Sequence, residues 1–143
     1  MRLISGEKYL LDTNVLVYAV DRASPLAALS RQIIEQGASH GVEFVIAQQN
    51  LIEFMAVLSS GYGLPLRQAL DDAESFARSF RVIVPLTSSF ETFTAMIRQN
   101  KTKLYPFDLY LVATMLDNSV ERIVTRNPKD FQGLPLKEIV SLE

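Results

Sequence analysis

The sequence contains no cysteine. That absence removes disulfides, thiolate catalysis and cysteine-ligated zinc together, and it fits a reducing compartment. There is one histidine, His40, in the stretch ASHGVE, which reads as a surface loop. A single imidazole excludes a paired-histidine ribonuclease mechanism. His40 also precedes an apolar run, which puts it at the wrong edge of a sheet for a Ser-His-Asp triad. No run of about 18 apolar residues occurs, so no membrane-spanning helix is expected. The opening MRLISGEKYLLDTN lacks the apolar stretch of a secretory signal, and the expectation is a soluble cytoplasmic protein. No glycine-rich phosphate loop of Walker or dinucleotide-binding spacing is present. A basic excess is missing too: 14 Lys and Arg against 16 Asp and Glu leave a net charge of −2. Any nucleic-acid contact must therefore rest on local patches. Arg98, Lys101 and Lys103 in RQNKTK form one, and Arg126 with Lys129 another. Each taken alone reads more readily as a solvated loop.

What remains is a globular composition. The 143 residues are 48% hydrophobic and 21% charged, enough for one domain with a real core. KYLLD, VEFVIA, RVIVPL, ERIVT and KEIVSL read as short buried strands. Helical periodicity fills the intervals. SPLAALSRQIIEQGASHG carries a Ser24 cap, Pro25 in the first turn and Gly37 near the end. In QQNLIEFMAVLSSGYG, Leu51, Met55 and Leu58 mark one stripe. PLRQALDDAESFARSF is amphipathic, and SSFETFTAMIRQN places Phe90, Phe93 and Ile97 at helical spacing after a serine cap. FDLYLVATMLDNS is apolar on most sides and reads as a buried helix. Alternation of strand and helix predicts an α/β fold with a parallel sheet covered on both faces. The expected strand order is 3-2-1-4-5, with a switch point between the first and fourth strands. Ligands of open α/β sheets bind outside the carboxyl ends of strands at such a point.

The acids fall where this topology places a site. In YLLDTNVLVYAV an apolar strand runs straight into Asp12, Thr13 and Asn14. A buried carboxylate without a partner is costly, so Asp12 needs a donor, a cation or an opening to solvent. Glu53 follows the second strand by a few residues, in the opening turns of a helix that starts at the same rim. Asp108 begins the helix that feeds the fourth strand, and TRNPKDF returns Asn127 and Asp130 to that rim. Each has a plainer reading alone: a surface glutamate, a helix cap, turn residues. Together they gather like charges, which need a cation or must take up a proton. Oxygen-only ligands suit Mg²⁺ or Mn²⁺, the equipment for phosphoester hydrolysis.

In order and in spacing, LLDTNVLVYAVD, NLIEFMAVL, YPFDLYLVATML and IVTRNPKDF resemble the motifs of PIN-domain proteins, most closely the VapC-type toxins of bacterial toxin–antitoxin modules. The resemblance covers essentially all of residues 1–143. It implies a three-layer α/β/α fold and Mg²⁺- or Mn²⁺-dependent endoribonuclease activity on RNA. It also implies inhibition by a cognate antitoxin and pairing into homodimers. On the matching positions, Asp12 is the first metal-binding acid, Glu53 the second and Asp108 the third. Thr13, Asn14 and Thr125 are polar residues that shape the site. Asn127 stands where many members have a fourth acid, and Asp130 matches an acid that supports the loop or acts through water. Asp12 and Asp108 would hold the principal metal, with Glu53 reaching it directly or through water. Lys101, Lys103 and Arg126 would guide the RNA backbone. Pairing is expected through the helices of residues 25–39 and 48–60, where Ile52 and Val57 lie off the buried stripe. Two other functions stay open at this point. One is a non-catalytic protein of the same fold, favoured by Asn127. The other is a phosphatase with Asp12 as nucleophile, disfavoured by Asn14 where such enzymes carry a second Asp.

Overall fold

The computed structural model describes residues 3–100 and 105–142. Lys101 and Lys103 lie outside the described residues. Within them, one parallel sheet is built from β1 (Lys8–Leu11), β2 (Glu43–Ala47), β3 (Arg81–Ile83), β4 (Arg122–Thr125) and β5 (Glu138–Ser141). The strand order is β3-β2-β1-β4-β5, as the alternation predicts. Leu10 pairs with Val45 on one side and Ile123 on the other. The helices are α1 (Thr13–Val20), α2 (Ala27–Ser39), α3 (Gln48–Ala56), α4 (Leu66–Ser79), α5 (Ser89–Gln99) and α6 (Pro106–Asp117).

The strands are almost unbrokenly apolar because both faces are covered. Alternate residues feed opposite layers. Tyr9, Leu11, Phe44, Ile46 and Val124 pack with Val15, Ile33, Phe54, Leu58 and Ala69 on the α1–α4 side. Leu10, Val45, Ala47 and Ile123 face Met96, Leu109, Val112 and Met115 of α5 and α6. Each fully buried Leu or Phe contributes about 2 kcal/mol. Hydrophobic burial is thus the main favourable contribution holding the sheet.

Several local readings shift. α2 begins at Ala27, with Leu26 rather than Ser24 as its cap. Asp21 and Ser24 instead accept from the N–H groups of Ala23 and Leu26, local turns that satisfy the backbone ahead of the helix. Gly37 lies inside the last turn of α2, where a Cβ would collide with the Phe44 ring. Its role is close packing, with no part in ending the helix. The buried anchors of α3 and the π-helical turn after it, Val57–Gly61, are Phe54 and Leu58. Leu51 and Met55 only flank them. On α5, Phe90 and Ile97 point outward, and the buried residues are Ser89 and Met96. Ser88 makes no cap bond; the hydroxyls of Ser88, Ser89 and Thr92 donate to Asp117, locking α5 to the end of α6. α6 is buried as expected. His40 is exposed at the end of α2, ahead of β2.

Candidate active site

Asp12 leaves β1 and becomes the N-cap of α1, its Oδ1 accepting the Thr13 N–H at 2.9 Å. Its Oδ2 accepts from the Thr125 hydroxyl at 2.7 Å and the Asn14 amide at 3.3 Å. Thr125 ends β4, so the first of these bonds spans the switch point between β1 and β4. Asn14 Oδ1 accepts the Arg126 N–H at 3.0 Å, and the Asn127 N–H donates to Thr125 Oγ1 at 3.1 Å. The polar interruption after the first strand is therefore a network joining two strand ends. It supplies the donors that a half-buried carboxylate requires.

A second polar interruption, Gln48, Gln49 and Asn50, follows β2 in the same way and was not singled out from the sequence. Asn50 is fully buried. Its Oδ1 accepts the Ala47 N–H at 2.8 Å, one half of a capping box, and its Nδ2 donates to Thr13 Oγ1 at 3.1 Å. The start of α3 is thus tied to the start of α1. The signal that could have found it is the repeated pattern of an apolar strand ending abruptly in three polar residues.

These ties bring the predicted acids to one cleft of about 330 Å³. Asp12, Thr13, Asn14, Glu53, Asp108, Asn127 and Asp130 line it, with walls of Val17, Tyr18, Val57 and Tyr62 that sequence reasoning did not place. Asp108 sits in the first turn of α6, but the cap of that helix is Tyr105. Asn127 and Asp130 arrive on the 3-10 turn Pro128–Phe131, anchored by the buried Phe131. Thr125 is buried behind Asp12 and does not line the cleft. Arg126 is held beside it through its backbone.

The electrostatics are those of crowded acids. Burial pushes the Asp12 carboxyl up to about 6; bonds from Thr125 and Thr13 oppose this, and the fields of Glu53 and Asp130 add to it. Asp12 keeps an accessible edge on the cleft while the fold encloses its other sides. Asp108 is pushed up to about 7, first by burial and then by Asp12, Asp130 and Glu53. Ion pairs seen among the described residues at Arg81–Glu43, Arg122–Glu7, Arg122–Glu138 and Lys137–Glu121 do not involve these acids.

Among the described residues, no three His, Cys, Asp or Glu side chains are close enough to hold one ion between them. The described residues thus build no fully protein-made cage. The donor set still fits a hydrated Mg²⁺ or Mn²⁺, which keeps several waters and takes only one or two carboxylates. The oxygens are hard, and Asp12, Glu53, Asp108 and Asp130 all open on the one cleft.

The sequence matches the PIN domain family model over residues 9–135. No curated protein matches the chain by sequence. Among solved structures, VapBC2 from Rickettsia felis, bound to a DNA fragment from its promoter, superposes with a TM-score of 0.73 at 18% identity, covering 92% of this chain and 96% of the other. DNA-bound VapBC from Salmonella typhimurium gives 0.72 at 18% identity, covering 96% and 99%. VapC20 from Mycobacterium tuberculosis, a toxin that cleaves the sarcin-ricin loop, gives 0.63 at 14% identity, covering 80% and 86%.

Proposed function

This chain belongs to the PIN domain family, and on that premise we propose that it is a divalent-metal-dependent endoribonuclease, the toxin of a toxin–antitoxin pair. The observation that carries the reading is the convergence of Asp12, Glu53, Asp108 and Asp130 on one cleft at the switch point of the sheet. Asp12 and Asp108 would hold a Mg²⁺ or Mn²⁺ ion, with Glu53 reaching it through water. Such an ion supplies Lewis acidity toward a phosphate and lowers the pKa of water toward neutrality. The chain's own work is orientation. Thr13, Asn14 and Thr125 fix both oxygens of Asp12. The low-dielectric floor behind Asp12 strengthens its field on whatever cation enters. Asp130 adds charge from the loop and Asn127 a neutral oxygen.

RNA is the proposed substrate. Arg126, with Lys101 and Lys103, would contribute affinity through the phosphates and little sequence choice. Tyr105 and Phe107 both precede Asp108 at the start of α6, 61% and 60% exposed, and would offer ring faces to unpaired bases. The antitoxin partner is inferred from the VapBC complexes the chain resembles in fold.

A homodimer is proposed as well. Ile52 is 64% exposed, and Val57, Tyr62, Leu66 and Leu70 are exposed on the same α3–α4 stretch, an apolar set of the kind that marks contact surfaces. No large hydrophobic of α2 is exposed among the described residues, so α3 and α4 would form the contact. Light scattering at micromolar concentration checks this, since a mass near the 16.0 kDa of one chain rules the pairing out. The central test is cleavage of structured and unstructured RNA with Mn²⁺, with Mg²⁺ and with chelator. Cleavage that persists in chelator overturns the metal-dependent reading. Metal-loaded protein that binds RNA without cutting it favours the non-catalytic reading to which Asn127 points.

A further inference from the structure

Glu53 and Asp108 reach the cleft from helices of different crossovers, and one amide stands between them. Gln49, in the first turn of α3, donates from Nε2 to Glu53 Oε1 at 2.8 Å and to the backbone carbonyl oxygen of Phe107 at 2.9 Å. Phe107 immediately precedes Asp108 in the first turn of α6. The orientation of the amide is dictated by its partners: both are acceptors, so a reversed amide would set its oxygen against two oxygens. The fold accepts the consequence, because Gln49 Oε1 is buried without a hydrogen-bond partner.

We propose that Gln49 is a positioning residue for the acidic cleft: anchored on the Phe107 carbonyl, its amide holds Glu53 in place for a hydrated divalent cation. This rests on the metal-dependent reading above. The physical need is clear. A glutamate side chain has considerable rotamer freedom, and among four acids repulsion favours its swinging out to solvent before a cation arrives. A lysine or arginine could hold it, but would neutralise the charge that the cation is to use. A neutral donor fixes the carboxylate and leaves its charge intact, while Oε2 remains as its other acceptor. The Phe107 carbonyl supplies an anchor that belongs to the same turn as Asp108, so Glu53 is referenced to the position of a second acid.

Gln49→Met keeps the length and bulk of the side chain and removes both donors. Calorimetric titration with Mn²⁺ on the wild type, Gln49→Met, Glu53→Ala and the double variant tests the idea. Loss of an outer-shell partner of this kind typically weakens metal binding by about tenfold. The expected result is that loss for Gln49→Met in the wild-type background and little further loss when Glu53 is already Ala, the signature of one residue acting through another. A rescue arm, Gln49→Asn, should lie between Gln49→Met and the wild type. Equal weakening in both backgrounds means that Gln49 acts on the fold at large and overturns the proposal. So does wild-type affinity in Gln49→Met. A wild type that takes up no Mn²⁺ overturns the metal-dependent reading itself, and the proposal with it.

Discussion

Acidic clusters stand at both edges of the sheet, and the fold treats them differently. At the amino edge, Glu7 and Glu138 face Arg122, whose Nη1 lies 2.8 Å from Glu7 Oε2 and whose Nε lies 3.3 Å from Glu138 Oε1. The Tyr9 hydroxyl adds a 2.6 Å bond to Glu138, and burial together with that bond raises its pKa. At the carboxyl edge, the bonds to Asp12 come from an N–H, an amide and a hydroxyl, all neutral. Burial first, and then the fields of the neighbouring acids, hold Asp12 and Asp108 above the usual carboxylate range. The amino edge balances charge with charge and serves the fold. At the carboxyl edge the acids crowd one cleft, which costs stability and, on the metal-dependent reading proposed above, would suit a cation.

The largest expected effect comes from removing the centre of the crowded cluster. Asp12→Asn should cut metal-dependent RNA cleavage by about a thousandfold or more, measured on protein that remains folded. The same change should raise the melting temperature of the metal-free protein. Asp12 is held above its ordinary pKa, so its favourable contribution is present in acid and lost as pH rises through about 6. A shift of that size corresponds to roughly 3 kcal/mol at most. An asparagine offers a single acceptor oxygen in place of two, so a donor to Asp12 loses its partner, and a net gain of about 1 kcal/mol is expected. The gain should be larger at pH 8 than at pH 5 by thermal unfolding with chelator. A metal-free melting temperature well below the wild type would count against crowded carboxylates.

The opposite edge should answer in the opposite sense. Arg122→Met removes the cation and leaves Glu7 and Glu138 facing each other. The Arg122 side chain is only 15% exposed, while that of Glu7 is 42% exposed, so the loss falls short of a fully buried pair. A destabilisation of about 2 kcal/mol is expected by denaturant titration, with cleavage per folded molecule unchanged. If Arg122→Met abolishes cleavage while the fold survives, the division of labour between the edges is wrong.

The division was only partly legible in the sequence. Strand order and the three main acids followed from alternation and from where each acid stands relative to a strand, because a parallel sheet sends every strand end to one rim. Gln49 and Asn50 escaped because their importance is relational. Nothing in AQQN says that one amide reaches Thr13 and the other Phe107, 58 positions away. The stripe of α5 told only part of its packing for a related reason: periodicity marks a helix with an apolar face, but not which layer covers it, and Phe90 and Ile97 remain exposed. The amino-edge cluster was also invisible, since Glu7, Arg122 and Glu138 meet only once β1, β4 and β5 lie side by side.

The smallest expected effect sharpens the comparison by adding a charge instead of removing one. Asn127 lines the cleft, is exposed, and is connected to Asp12 through Thr125, whose hydroxyl accepts the Asn127 N–H and donates to Asp12. That backbone link survives Asn127→Asp, so the new carboxylate should stand where the amide did. A fifth acid strengthens a site for hard cations. The position is open to water, so screening limits the gain to about 1 kcal/mol, roughly fivefold in Mn²⁺ affinity by calorimetry. The metal-free variant should lose a few tenths of a kcal/mol from added repulsion. Opposite signs in the two measurements are the mark of an edge built to stay unbalanced until a cation arrives. Unchanged or weaker Mn²⁺ binding would mean that Asn127 does not face the metal, and that the loop after β4 serves the fold as Arg122 does.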